Sequence, residues 1–159
     1  MRIYIESTIP SYVVARPARD ILQAARQQLT RDWWDRGRQE HELFISQVVL
    51  DEIGFGEEAM VRLRLKLVEN IPILESTDEV RDFARMVLDS GVLPREADRD
   101  AAHIAFAAIH GTDLLLTWNC RHIANAALQT RLRRLAESAQ LNLPVICTPE
   151  ELIGESHER

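Results

Sequence analysis

The 159-residue sequence predicts an α/β domain in which a central, mostly parallel five-stranded sheet is flanked by helices. Two observations carry that expectation. Short apolar runs suited to buried strands alternate along the chain with longer segments of helical period, the pattern of β-α-β units. No linker, low-complexity tract or internal repeat interrupts the alternation, so residues 1–159 read as one domain. A chain this long that is 46% hydrophobic and 28% charged can bury a full core.

The elements follow in order. Arg2 to Ile5 is a β-rich run entered directly from the N-terminus, and Pro10 and Pro17 break the segment after it. A long amphipathic helix is expected from about Asp20 to Arg38, with a stripe formed by Ile21, Leu22, Ala25, Leu29, Trp33 and Trp34, and with Gly37 near its end. Because only one stripe should face the core, at least one of the two adjacent tryptophans is a candidate for contact with a partner or symmetric subunit, with core packing of both as the alternative. Leu43 to Ile45 reads as the second strand, and Ser46 is placed to cap a helix carrying Val48, Val49, Leu50 and Ile53 up to Gly54 and Gly56.

A further helix spans Glu57 to Glu69. Ile71-Pro72-Ile73-Leu74 then reads as a third strand, near an edge because proline cannot donate to a ladder. Ser76 and Glu79 have capping-box spacing at the start of a helix through Val80, Phe83, Ala84, Val87 and Leu88 to Gly91. The next helix covers about Ala97 to His110, with Gly111 supplying a left-handed end. Leu114 to Thr117 is the fourth strand, Ala124 to Gln140 a polar helix, and Pro144 to Cys147 the fifth strand. Thr148-Pro149-Glu150-Glu151 then opens a terminal helix.

Bulk properties narrow the function. A net charge of -6 argues against a broad basic surface for nucleic acid. It leaves room for a nuclease whose clustered carboxylates are neutralised by cations. The basic residues are nearly all arginine, with Lys66 the sole lysine, and arginine offers bidentate donors to phosphate. No run reaches the roughly 18 apolar residues of a membrane span, and no cleavable leader precedes the first strand, so a cytoplasmic location is expected. Cys120 and Cys147 make no metal pair or disulfide framework and read as reduced thiols. The Gly-x-Gly-x-x-Gly turn of dinucleotide folds and the Gly-Lys-Ser/Thr of a P-loop are both missing.

Four polar islands remain, each after an apolar run or near a helix start. They are Glu6-Ser7-Thr8, Glu52, Asp100 in Asp100-Ala101-Ala102-His103-Ile104-Ala105, and Asn119 in Thr117-Trp118-Asn119-Cys120-Arg121-His122. In an open parallel sheet such places converge at the carboxyl edge, where ligands bind. Glu52 shares a helix strip with Val49 and Ile53, which turns it inward, whereas Asp51 reads as solvated. Hard divalent cations take carboxylate and other oxygen ligands, so Glu6, Glu52 and Asp100, with the neutral oxygen of Asn119, form a candidate Mg²⁺ or Mn²⁺ site. A bound ion lowers the pKa of a water, orients it against a phosphodiester and stabilises the developing charge. His103 reads as a hydrogen-bonded core histidine and is left outside the ligand set. Trp118 and Arg121 are candidates to stack on and grip a nucleotide, beside Ser7 and Thr117.

In this order and spacing the motifs resemble those of the PIN-domain family, and especially the VapC-like toxin ribonucleases of bacterial type II toxin-antitoxin systems. Glu6-Ser7-Thr8, Glu52, Asp100-Ala101-Ala102-His103-Ile104-Ala105 and Thr117-Trp118-Asn119 carry the resemblance over most of the chain. It implies a three-layer PIN-like fold, metal binding by Glu6, Glu52, Asp100 and Asn119, and hydrolysis of RNA. It also implies an antitoxin partner and a homodimer. Two positions depart from the family pattern: Glu6 stands where aspartate is usual, and Asn119 where aspartate is common. These changes imply weak or single-metal binding, and they open the alternative of an inactive PIN-like binding module acting through a protein partner.

Overall fold

The computed structural model describes residues 1–153; the last six residues of the expected 1–159 domain lie outside it. The elements run β1 (Arg2–Ile5), α1 (Thr8–Val14), α2 (Ile21–Asp32), a π-helical turn (Trp33–Gly37), a 3-10 turn (Arg38–Glu40), β2 (Glu42–Phe44), α3 (Gln47–Ile53), α4 (Glu58–Val68), α5 (Asp78–Asp89), α6 (Asp98–Ile109), β3 (Leu114–Leu116), α7 (Ala126–Ser138), β4 (Val145–Cys147) and α8 (Pro149–Ile153). Every strand pair is parallel, and the order across the sheet is β2-β1-β3-β4. Ile3, Tyr4, Ile5, Leu115 and Leu116 are fully buried, as parallel strands covered by helices require. No helix of the described residues is long and apolar enough to cross a membrane.

The sheet has four strands rather than five. The run Ile71–Leu74 makes one parallel bridge, Ile73 opposite Ile45, through Ile45 N–H to Pro72 O at 3.0 Å and Leu74 N–H to Ile45 O at 2.8 Å. Pro72 has no N–H to extend the ladder, and Ile73 is 55% exposed, so burial adds little incentive to pair further.

Local sequence rules were overridden in three other places. Residues 8–14 are helical despite Pro10, because Pro10 sits in the first turn, where its missing N–H would have had no intrahelical partner. The α5 cap is Thr77, whose Oγ1 accepts the Val80 N–H at 3.3 Å, and not Ser76. On α2, Ile21 and Leu22 are 86% and 61% exposed, whereas Gln27 and Thr30 are buried. Gln27 accepts from Ala18 N–H and donates to Arg16 O, and Thr30 accepts the Trp118 indole N–H at 2.7 Å. Hydrogen bonds to the preceding loop and to Trp118 thus satisfy a polar strip on the buried side.

Trp33 and Trp34 are both buried, at 2% and 3% exposure, so neither is offered to a partner. Adjacent residues of an α-helix diverge by about 100°. The π-helical turn that begins at Trp33 departs from that spacing. Gly37 completes the arrangement: a Cβ there would stand 2.8 Å from Cδ1 of Trp33.

Candidate metal centre

The order β2-β1-β3-β4 has its topological switch between β1 and β3, since the chain leaves β1 outward to β2 and later returns to the other side of β1. Side chains just past the ends of β1 and β3 therefore border a crevice at the carboxyl edge. Glu6 follows β1 directly, its N–H bonded to Leu116 O at 3.1 Å, and Thr117 follows β3. The extended ladder thus sets Glu6 beside Thr117.

Glu6 is 3% exposed and is held through one oxygen. Its Oε2 accepts from Thr8 N–H at 3.1 Å, Thr8 Oγ1 at 2.5 Å and Thr117 Oγ1 at 2.6 Å. Thr8 Oγ1 in turn accepts Trp118 N–H at 2.8 Å, and Thr117 Oγ1 accepts Asn119 N–H at 2.9 Å. Both hydroxyls are thereby oriented to donate. Among the described residues no hydrogen bond reaches Oε1, which lies 4.0 Å from Nε2 of His103. Oε1 is not among the buried polar atoms left without a partner, so it keeps access for a water or a cation at the edge of a largely buried side chain.

Glu52 arrives from α3, where Val49 and Ile53 are buried and Asp51 is exposed, so the inward strip read from the sequence is the one observed. Its Oε1 accepts from Ser7 Oγ at 2.8 Å and lies 2.5 Å from Nε2 of His103. Burial pushes the Glu52 carboxyl up, but the His103 hydrogen bond and charge, the Ser7 hydrogen bond and the nearby Arg99 outweigh it and hold the group below the usual carboxylate range. Ligand atoms of Glu6, Glu52 and His103 all lie within 4.8 Å of one another, a donor set of two carboxylates and one imidazole that suits a divalent ion.

Asp100, in the first turn of α6, is not in the group whose ligand atoms lie within 4.8 Å of one another and is linked to Glu6 through hydrogen bonds. Its Oδ1 accepts Asn119 Nδ2–H at 2.9 Å, and its Oδ2 lies 2.7 Å from Nδ1 of His122. The Asn119 side-chain oxygen accepts His122 N–H at 3.1 Å. Asp100 and Asn119 are therefore tied to each other, and they connect to Glu6 through the Asn119 backbone and Thr117. One hydrogen-bonded network joins three of the four polar islands, and Ser7 joins the fourth to the chain segment of Glu6.

The proposed nucleotide-gripping residues separate. Arg121 is exposed, Ser7 and Thr117 are buried and bonded to Glu52 and Glu6, and Trp118 is 6% exposed. Tyr12 stacks on the Trp118 ring at 6.2 Å between centroids, and the Arg26 guanidinium lies 5.2 Å from its centre. With its N–H on Thr30 as well, Trp118 buttresses the loop and leaves no face for a base.

His103 and His122 are the residues the sequence reading passed over. His103 lies three positions after Asp100 on an apolar helix, so composition favoured the core reading, and it is indeed fully buried. The available signal was its phase: one turn beyond a first-turn aspartate, it points along the same helix face.

In overall architecture the chain is similar to a chain in the crystal structure of VapBC2 from Rickettsia felis bound to a DNA fragment from their promoter. The match has a TM-score of 0.54 at 13% identity and covers 93% of this chain and 98% of that chain. No protein-family model matches the sequence, and no curated protein matches it. At this identity the likeness shows the fold, an α/β domain with a parallel sheet flanked by helices, whose carboxyl edge here carries a buried group able to hold a metal ion.

Proposed function

We infer that this protein is a divalent-metal-dependent endoribonuclease of PIN-like fold and the toxin of a toxin-antitoxin pair. The observation that carries the reading is the open Oε1 of buried Glu6, directed at Glu52 and His103 at the switch point of the sheet. The sequence resemblance supports the reaction class, and likeness to a chain of VapBC2, solved with a fragment of promoter DNA, supports an antitoxin partner.

In this reading Glu6 and Glu52 would hold Mg²⁺ or Mn²⁺, with Asp100 from α6 and Asn119 from the loop after β3 as the further oxygen ligands. The ion supplies Lewis acidity toward a phosphodiester and a water of lowered pKa. The chain's own residues do the rest. Thr8 and Thr117 pin Oε2 of Glu6 so that Oε1 stays directed inward. Ser7 fixes Glu52, and exposed Arg121 at the rim supplies a bidentate donor for a substrate phosphate.

One observation favours the second reading, a PIN-like binding module without hydrolysis. The ligand atoms within 4.8 Å of one another belong to Glu6, Glu52 and His103, without Asp100, so the group holds two carboxylates rather than three.

The test is Mn²⁺-dependent cutting of structured RNA by purified protein. Under the nuclease reading cutting is lost on chelation and in Glu52→Gln and Asp100→Asn, with folding verified by circular dichroism. Cutting that survives chelation, or that persists in Glu52→Gln, rejects the metal mechanism. A folded protein that binds Mn²⁺ and an antitoxin yet leaves RNA intact supports the binding module.

A further inference from the structure

Behind the site runs a buried polar chain that a purely carboxylate cage does not need. Ser46 Oγ lies 2.7 Å from Tyr4 Oη, Tyr4 Oη lies 2.8 Å from Nδ1 of His103, and His103 Nε2 lies 2.5 Å from Glu52. Ser46, Tyr4 and His103 are all 0% exposed. Ser46 occupies the N-cap position of α3, where a serine hydroxyl ordinarily accepts a backbone N–H, yet it makes no side-chain cap bond and is committed to Tyr4 instead.

The Tyr4 hydroxyl can donate to His103 or to Ser46, and for a neutral imidazole the two arrangements pair with different tautomers. Directed at Nδ1, it places the ring proton on Nε2, which donates to Glu52. Directed at Ser46, it lets Nδ1–H donate to the phenol oxygen and bares the Nε2 lone pair toward Glu6 and Glu52. The first arrangement satisfies every donor in the chain. The second leaves the Ser46 proton unmatched and prevails once a cation takes the place of the Nε2 proton.

We propose that His103 is the nitrogen ligand of this metal centre, binding a first-row transition dication through Nε2 together with Glu6 and Glu52, with the Tyr4–Ser46 hydroxyl pair setting its tautomer. The inference rests on the metal-site reading above and adds the ligand and the ion class. It draws on the same open Oε1 of Glu6, which lies 4.0 Å from Nε2. Ligands of an octahedral ion with bonds of ~2.1 Å stand about 3 Å apart when adjacent and about 4.2 Å when opposite. The Glu6 separation falls inside that span, and the His103–Glu52 contact has to open by roughly half an ångström as the ion replaces a proton. Imidazole binds first-row transition ions well, whereas Mg²⁺ keeps to oxygen and water, so the nitrogen favours the former class.

The experiment uses the full chain with Mn²⁺ as the probe, read by pulsed electron paramagnetic resonance for nitrogen directly bonded to the ion. Growth on ¹⁵N-histidine identifies the nitrogen as imidazole. Because the chain has five histidines, His103→Gln and His122→Gln assign the signal. The expected result is imidazole coupling in wild type and in His122→Gln, none in His103→Gln, and Mn²⁺ affinity reduced about 10- to 100-fold in Tyr4→Phe, with Mg²⁺ affinity much less affected. Should His103→Gln not fold, the near-isosteric Tyr4→Phe and the His122→Gln spectrum decide. Mn²⁺ bound without imidazole coupling, coupling that vanishes with His122, or unchanged affinity in Tyr4→Phe overturns this inference and leaves the carboxylate metal site standing. Folded wild type that binds no Mn²⁺ removes both.

Discussion

Thr117→Val isolates the contact on which the geometry of the site depends. Valine is nearly isosteric with threonine and equally at home after a strand, so the substitution removes one hydroxyl and little else. That hydroxyl, fully buried, donates to Glu6 Oε2 at 2.6 Å and accepts Asn119 N–H at 2.9 Å. A hydrogen bond to a carboxylate contributes ~1.5–3 kcal/mol, and the part-buried Asn119 N–H left without its acceptor costs ~1 kcal/mol. The added methyl recovers about 0.5–1 kcal/mol, so the expected loss is ~2.5 kcal/mol, or roughly 5–10 °C in Tm for a domain of this size. Thr117→Ser keeps the hydroxyl and loses a buried methyl, for ~1 kcal/mol. Urea unfolding of both variants and wild type in chelator measures the difference directly, and Mn²⁺ titration should show affinity falling about 10-fold or more in the valine variant alone, because Glu6 is no longer held with Oε1 inward. Equal stability of the two variants within ~0.5 kcal/mol would refute the reasoning, since neighbours more than one bond away would then be holding Glu6.

Three further outcomes are expected. Gly37→Ala should destabilise by ~1 kcal/mol in thermal unfolding, because the overpacking against buried Trp33 (~1–3 kcal/mol) exceeds the gain in backbone propensity (~1 kcal/mol); a stabilised variant contradicts the packing at that turn. In native protein a thiol reagent should label exposed Cys120 promptly and Cys147 only on unfolding, since burial, aided by the Glu151 charge, pushes the Cys147 thiol up to about 12; two equally fast thiols would count against it. Glu52 has its carboxyl lowered in the folded protein, so its stabilising contribution is complete above the unfolded value near 4.5 and is lost as pH falls through the lower folded value. The stability difference between wild type and Glu52→Gln should accordingly shrink toward pH 3 in metal-free buffer, and a difference that grows on acidification has the wrong sign.

Where the sequence was legible, one local rule acted without competition. Ile3–Ile5 and Leu114–Leu116 are buried throughout because both faces of the sheet are covered, and the helices ending at Gly91 and Gly111 stop where a positive φ is needed, at 69° and 61°. The inward face of Glu52 followed from Val49 and Ile53 for the same reason. Reading failed where tertiary partners outbid local preference. The polar strip of α2 is buried because Trp118, Arg16 and Ala18 satisfy it, and those partners are invisible to helical periodicity. Both tryptophans are buried because a π-helical turn departs from the helical phase that a periodicity argument assumes. Ser46 has the sequence of a cap and the job of a hydrogen-bond partner to Tyr4, from a strand 42 residues away.

By itself, the sequence determined the alternation of strands and helices and the identity of the acidic islands, since burial period and helix termini are written in neighbouring residues. Tertiary structure alone decided that the sheet stops at four strands, that His103 stands with Glu6 and Glu52, and that Asp100 turns to Asn119 and His122. Those outcomes depend on which oxygen of each carboxylate finds a donor, and the donors come from segments up to 111 residues apart. Hydrogen bonds select among orientations only after the backbone has brought the groups within about 3 Å, so no local pattern could have encoded the choice.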